Sequence, residues 1–284
     1  MNWKGTRCLV TGSEGLIGKE LVILLREKGA IVSVFDIKAG LDVTNNLDIR
    51  SIFEVVGPFD YVFHLFGIKG NPKMTKERPV DFMGPMLQGD TNFILAAQKY
   101  KVKHFLYTSS IAVENPESDK YPAWAKMTAE TLIEAMRIQY PKGTSYCIVR
   151  PANCFGDEDI NRDNLMVVSS LIKAGLKNNE IVIDIKGAKQ TRDVIYSKDV
   201  ARNMIKVMED APNYPVNLCS GKETKIKDIA EIIANKLDIS IKYKDLNMIL
   251  GPKKKVMKQN YKLDIQYNLK EAIEETIDGI QKRS

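Results

Sequence analysis

The sequence predicts an α/β protein: a doubly wound parallel sheet followed by a smaller C-terminal α/β lobe. Three observations carry that expectation. Short apolar runs alternate with segments of helical periodicity from residue 7 onward. The runs are apolar throughout rather than at every second residue, as in strands covered on both faces. The first run ends in the glycine-rich stretch TGSEGLIG, which opens directly into a helical pattern.

In chain order, RCLVTG (7–12) reads as the first strand. LIGKELVILLREKG (16–29) has helical spacing and is closed by Gly29. AIVSVFD (30–36) is the second strand; FDYVFHLFG (59–67), KHFLYTSS (103–110) and TSYCIVRP (144–151) repeat its character. Helical segments are expected near 85–100 and 123–140. Strands alternating with helices imply right-handed crossovers and ligands at the carboxyl ends of the strands. After about residue 150 the pattern loosens. Helical stretches at 165–177, 198–209, 225–237 and 268–281 are separated by short strand candidates such as EIVIDI and PVNLC. The expected division is 1–150 for a nucleotide-binding domain and 151–284 for a substrate-binding lobe, with a soft boundary.

Gly12, Gly15 and Gly18 stand at the junction of the first strand and first helix. Glycine there lets the backbone turn tightly and approach a pyrophosphate, which the helix N-terminus stabilises. This strand–turn–helix context makes the triplet a Rossmann-type dinucleotide signature. Asp36 ends the second strand, where a carboxylate can hold both hydroxyls of an adenosine ribose. It would repel a 2′-phosphate, so NAD is expected over NADP, with Lys38 close enough to weaken the preference. At Asp42-Val43 an acidic residue is placed to accept from the adenine amino group.

The glycine spacing GxxGxxG resembles that of the extended short-chain dehydrogenase/reductase family, and nearest to it are the nucleotide-sugar epimerases, dehydratases and reductases. Further motifs follow in order: HLFG (64–67), QGDTNFILAAQKYKVKHFLYTSSIAV (88–113), RPANCFG (150–156), TRDVIYSKDVA (191–201) and NLCSGKETKIKDIAEII (217–233). The resemblance implies that Leu65 flanks the nicotinamide. It implies that Ser110 is the catalytic serine and Lys126 the catalytic lysine, which also holds the nicotinamide ribose. Asn153 and Arg192 fall at positions that contact the nucleotide sugar, with Arg192 on its diphosphate.

One position departs from the family. Its chemistry needs a tyrosine four residues before the lysine, on the same helix face. The lysine's charge and the oxidised nicotinamide then lower the phenol's pKa, and the tyrosinate takes the sugar hydroxyl's proton. Four residues before Lys126 stands Pro122; Tyr121 is five before it. Three explanations stay open. Tyr121 precedes the regular helix and reaches the site as the base. Another group or water takes the proton; of the alternatives, Glu114 is favoured over His64 and His104, which read as structural. Or the protein binds NAD and a ligand without turnover.

The family's 4,6-dehydratases follow the serine position with an acidic pair, where this chain has Ile111-Ala112. The segment 67–86 resembles GDP-sugar members such as GDP-fucose synthase, but their epimerising cysteine falls at Ile111. What remains is hydride chemistry at a sugar carbinol, C4 above all, as epimerase or dehydrogenase/reductase. A non-catalytic NAD-binding scaffold of the same fold and a reductase of a non-sugar carbonyl are the alternatives. The family also implies a homodimer paired through the helices near 85–100 and 123–140, which carry Met86, Leu87, Phe93, Met127, Leu132 and Met136.

Composition narrows the rest. An apolar content of 44% and a charged content of 27% suit a globular chain. The longest aliphatic run, LVILL, is far too short to span a bilayer. The opening MNWKGTRCLVTG shows no apolar signal region, so no membrane association and a cytoplasmic location are expected. Cys8, Cys147, Cys154 and Cys219 are scattered, which points to reduced thiols and neither a metal site nor a disulfide framework. Net charge is a mild +6. The basic run at Lys253, Lys254 and Lys255 lacks interleaved aromatics, so it reads as a solvated loop rather than a nucleic-acid platform.

Overall fold

The computed structural model describes residues 2–68, 75, 77–118, 120–157, 160, 165–246 and 257–283. The Lys253–Lys255 run and residues 69–74 and 76 of the segment compared with GDP-sugar enzymes lie outside them. The chain divides into two compact units: Met1–Pro151 with Val200–Val216, and Ala152–Asp199 with Asn217–Ser284.

The first unit is built on β1 (Arg7–Thr11), α1 (Leu16–Glu27), β2 (Ile31–Phe35), α2 (Asn46–Ser51) and β3 (Tyr61–His64). It continues through α3 (Pro79–Lys99), β4 (His104–Thr108), α4 (Lys120–Gln139) and β5 (Ser145–Pro151). The sheet runs in the order β2, β1, β3, β4, β5, and then the short strand Val216–Leu218. Neighbours from β2 to β5 are parallel. The chain leaves β1 for β2 on one side and returns as β3 on the other. The carboxyl ends of β1 and β3 therefore flank the point where the winding reverses, the place where such sheets take ligands.

Apolar runs become strands here because both faces are covered. Leu9, Val62, Phe63, Phe105 and Ile148 are fully buried, and Phe35 meets Phe93 of α3 edge-on with ring centroids 5.1 Å apart. Each such side chain contributes about 1.5–3 kcal/mol by leaving water. The two long helices begin earlier than their expected limits of 85 and 123. α3 starts at Pro79 and runs through Pro85. A proline at the first helical position loses only an N–H that has no partner anyway. α4 starts at Lys120, so Pro122 lies in its first turn. Arg150 of β5 ties α4 to the sheet: its Nε and Nη2 donate to Glu130 at 2.9 and 2.5 Å, and its Nη1 donates to Glu114 at 2.7 Å.

Among the described residues, the second unit has three two-stranded ladders. Asn153–Phe155 pairs with Val194–Tyr196 and Glu180–Asp184 with Ser240–Lys244, both parallel; Thr191–Arg192 pairs antiparallel with Thr224–Lys225. Helices Val167–Asn178, Ile226–Leu237 and Leu269–Gln281 bury Ile172, Ile229, Ile233, Ile273 and Ile277 against them. The last helix opens on a reciprocal cap, with Asn268 accepting from the Glu271 amide and Glu271 accepting from the Asn268 amide.

Of the residues expected at a dimer face, Met86, Phe93 and Met136 are core residues of the single chain. Among the described residues no helix is long and apolar enough to cross a membrane. All four cysteines are free thiols, and burial pushes Cys8 and Cys219 up to about 12 and Cys147 to about 11.

Candidate functional site

The glycine loop leaves β1 at its carboxyl end. Gly12 has a left-handed φ of 64°, and a Cβ there would lie 2.8 Å from the Leu65 carbonyl oxygen. A Cβ on Gly18 would lie 2.1 Å from the Gly12 oxygen, so α1 packs on its own loop only because Gly18 has no side chain. The Gly15 amide closes the turn on the Gly12 oxygen at 3.0 Å. Within this cradle the Ser13 Oγ is buried with no partner among the described residues. A buried hydroxyl left unpaired is costly, and a ligand oxygen would satisfy it. The dipole of α1 adds positive potential at the same place.

Asp36 sits just past β2, its carboxylate turned to this loop. Oδ2 accepts from the Glu14 amide at 3.0 Å and Oδ1 from the Lys38 amide at 3.0 Å. Further on, Asp42 Oδ1 accepts from the Thr44 amide at 2.8 Å and from Thr44 Oγ1 at 2.9 Å. Val43 is buried against Gly89 of α3, where a Cβ would come within 2.7 Å of Val43 Cγ2. These residues fit a dinucleotide: a tight loop, an unpaired hydroxyl, a helix N-terminus and a carboxylate at the second strand's end.

At the end of β3 a buried polar chain connects strands and helices. The Leu65 amide donates to Thr11 Oγ1 at 3.2 Å, and Thr11 Oγ1 meets His64 Nδ1 at 2.8 Å. His64 Nε2 meets Asp90 Oδ1 at 3.1 Å. Asp90 Oδ2 accepts from Tyr107 Oη at 2.6 Å and from Lys126 Nζ at 3.2 Å. Lys126 Nζ also donates to the Phe66 oxygen at 3.1 Å and lies 4.7 Å from the Tyr107 ring centre. Burial lowers the His64 pKa against the opposing pull of Asp90, so His64 is neutral. The acid–base pattern then assigns its proton to Nε2, donating to Asp90, while Nδ1 accepts from Thr11. Burial raises Asp90, but Lys126, His64 and Tyr107 together hold it below the ordinary carboxylate value. Burial first and Asp90 second push the Tyr107 phenol well up.

Asp90 and Tyr107 were not among the expected site residues. A signal existed: Asp90 falls on the same helical stripe as Met86, Phe93 and Ala97, all buried. A carboxylate on an apolar stripe requires a buried partner.

Ser110 caps the short helical turn Ile111–Glu114, its Oγ accepting from the Ala112 amide at 3.1 Å. Tyr121 is the second residue of α4 and does not precede the helix. Five residues apart, Tyr121 and Lys126 project about 140° from each other. Their exposures of 36% and 5% follow that difference. Glu114 is engaged by Arg150, as described above. His104 is stacked on Tyr61 with ring centroids 5.4 Å apart.

In the second unit, Asn153 is buried, its Nδ2 donating to the Asp193 oxygen at 2.9 Å. Arg192 is half-buried, donating to the Thr191 oxygen at 2.7 Å and Gln190 Oε1 at 2.8 Å, and burial lowers its pKa. Its neighbour Asp193 is fully buried. Its carboxylate accepts from the Ser220 amide and hydroxyl and from the Gly221 amide, at 2.8, 2.7 and 2.9 Å. Asp193 thus organises the loop after Leu218.

The family model described as the NAD dependent epimerase/dehydratase family matches residues 8–219. The chain is 29% identical to a UDP-N-acetyl-alpha-D-glucosaminuronate decarboxylase of Bacillus cytotoxicus, over 80% of this chain and 79% of that one. It is 27% identical to GDP-L-fucose synthase 1 of Arabidopsis thaliana, over 82% and 78%. The solved UDP-glucose 4-epimerase of Thermotoga maritima with UDP-glucose has the same fold. Its TM-score is 0.87 at 23% identity, covering 98% of this chain and 99% of that one.

Proposed function

The chain belongs to the NAD-dependent epimerase/dehydratase family, and from that membership we propose that it is an NAD-dependent enzyme acting on a carbinol of a nucleotide-activated sugar. The carbon is C4, and the enzyme is an epimerase or a dehydrogenase. The observation that carries the reading is the cradle of Gly12, Ser13, Gly18 and Asp36 in the same unit as Ser110 and Lys126.

Gly12, Gly15 and Gly18 would admit the pyrophosphate, and Asp36 would take the adenosine ribose hydroxyls. Asp42 and Val43 would border the adenine, and Leu65 the nicotinamide. NAD, when bound, supplies the acceptor for the hydride that leaves the sugar carbon. Ser110 Oγ already accepts the Ala112 amide, so its own O–H is left to donate to the reacting hydroxyl. Two of the three Lys126 N–H groups go to Phe66 and Asp90, and the third would reach the nicotinamide ribose. Tyr121, in the first turn of α4, is the proposed base; it would act from a different helix face than Lys126, without the shared face that lets the ammonium lower a phenol's pKa. Asn153 and Arg192 would engage the nucleotide sugar, Arg192 at its diphosphate. The expected division at about residue 150 is amended by the return of Val200–Val216 to the first unit: Met1–Pro151 with Val200–Val216 would serve the cofactor, and Ala152–Asp199 with Asn217–Ser284 the sugar nucleotide. A homodimer through α3 and α4 completes the reading, supported by exposed apolar Leu95 and Trp124 on these helices.

The test is reduced-nicotinamide absorbance after mixing NAD-loaded protein with GDP-, UDP-, CDP- and dTDP-sugars. A lasting rise identifies a dehydrogenase and a transient one an epimerase. Tyr121→Phe should then cost about 10²–10⁴-fold in rate. A second reading, binding of both ligands without turnover, is favoured by Pro122 and by the burial of Lys126. It predicts silence across the panel with both ligands bound.

A further inference from the structure

Lys126 is held at the carboxyl end of β3, its ammonium on the oxygen of Phe66, two residues past the strand. It is not a lone cation there. Asp90 comes to it from α3 at 3.2 Å, with side chains 6% and 1% exposed. The groups facing the Asp90 carboxylate are Lys126, His64 and Tyr107. His64 is neutral and Tyr107 keeps its proton, so the cluster carries one positive and one negative charge.

We propose that Asp90 is a positioning residue that holds Lys126 in place and cancels its charge, so that the site accepts an oxidised, positively charged nicotinamide without penalty. This rests on the NAD reading above. The oxidised ring carries one positive charge and the reduced ring none. An uncompensated ammonium in this low-dielectric place would repel the oxidised form and leave the reduced form untouched. Asp90 therefore tunes the relative affinity for the two redox states, separately from any part it has in stability.

The experiment is titration of the full chain with NAD⁺ and with NADH, by calorimetry and by NADH fluorescence. It compares the ratio of the two dissociation constants in wild type, Asp90→Asn and Asp90→Asn/Lys126→Met. Asn keeps the shape and removes the charge. The expected result is a shift of about tenfold toward NADH in Asp90→Asn, reversed in the double variant, where the second charge is gone. If Asp90→Asn does not fold, Lys126→Gln carries the test with the opposite sign, a shift toward NAD⁺. Equal losses for both cofactors, with the ratio unchanged, would overturn the proposal and leave Asp90 a structural residue. Wild-type protein that binds neither cofactor would overturn the NAD reading itself, and the proposal with it.

Discussion

The Asp90 carboxylate and the Lys126 ammonium lie 3.2 Å apart, contributed by different helices and both withdrawn from solvent. Thirty-six residues separate them in sequence, so the pair is a long-range tie between α3 and α4. Removing one partner leaves the other charged and buried. Lys126→Met alone should destabilise by about 3–5 kcal/mol, whereas Asp90→Asn/Lys126→Met should recover part of that loss, because Asn removes the second charge and keeps hydrogen-bonding groups for His64 and Tyr107. Urea midpoints of the two variants check it; equal losses would show that the ion pair is not the cause.

Acid should weaken the first unit through the same cluster. The folded pKa values of Asp90 and His64 both lie below their ordinary values of 3.8 and 6.5. A depressed pKa gives stability that is complete above the unfolded value and is lost as pH falls through the folded one. The His64 contribution should therefore decline from just below pH 6.5, and that of Asp90 only below pH 3.8. Denaturant midpoints measured from pH 8 down to 3 should fall in that sequence, and His64→Gln should remove the earlier fall.

Gly18→Ala should weaken cofactor binding before it unfolds the chain. The added methyl would overlap the Gly12 backbone oxygen, and no flexible side chain is there to yield. Displacing the loop should cost about 2 kcal/mol or more, roughly thirtyfold in NAD affinity. Calorimetry beside a thermal melt separates the two effects; unchanged affinity would remove the loop from the cofactor site.

Asp36→Ser should raise NADP affinity relative to NAD. The carboxylate lies against the glycine loop through the Glu14 amide, where it would face a 2′-phosphate. The expected change in preference is about tenfold or more, read from paired titrations. A preference that does not move would place the adenosine ribose elsewhere.

The parallel sheet was legible because continuous apolar runs and glycine punctuation are local signals. RCLVTG and AIVSVFD each became strands, within a residue or two of their expected ends. The helix starts were not: the segments expected near 85 and 123 begin at Pro79 and Lys120, with Pro79 at the first helical position and Pro122 in the first turn, where a missing N–H costs little. That misreading matters for Tyr121, which joins the helix and turns away from Lys126. Asp90 was hidden for a different reason. Its neighbours in sequence are polar, and its meaning comes from residues 26, 17 and 36 positions away. Asp193 was overshadowed by the adjacent Arg192, although it is the aspartate that gathers four donors.

The thread from the Leu65 amide through Thr11, His64 and Asp90 to Lys126 stitches β1, β3, α3 and α4 at one end. Breaking any stitch strands a polar group without water, so fraying there should be all-or-none. Amide exchange in those four segments should consequently share one opening rate. A ligand seated on the glycine turn would then slow exchange along α4 well beyond the residue it touches.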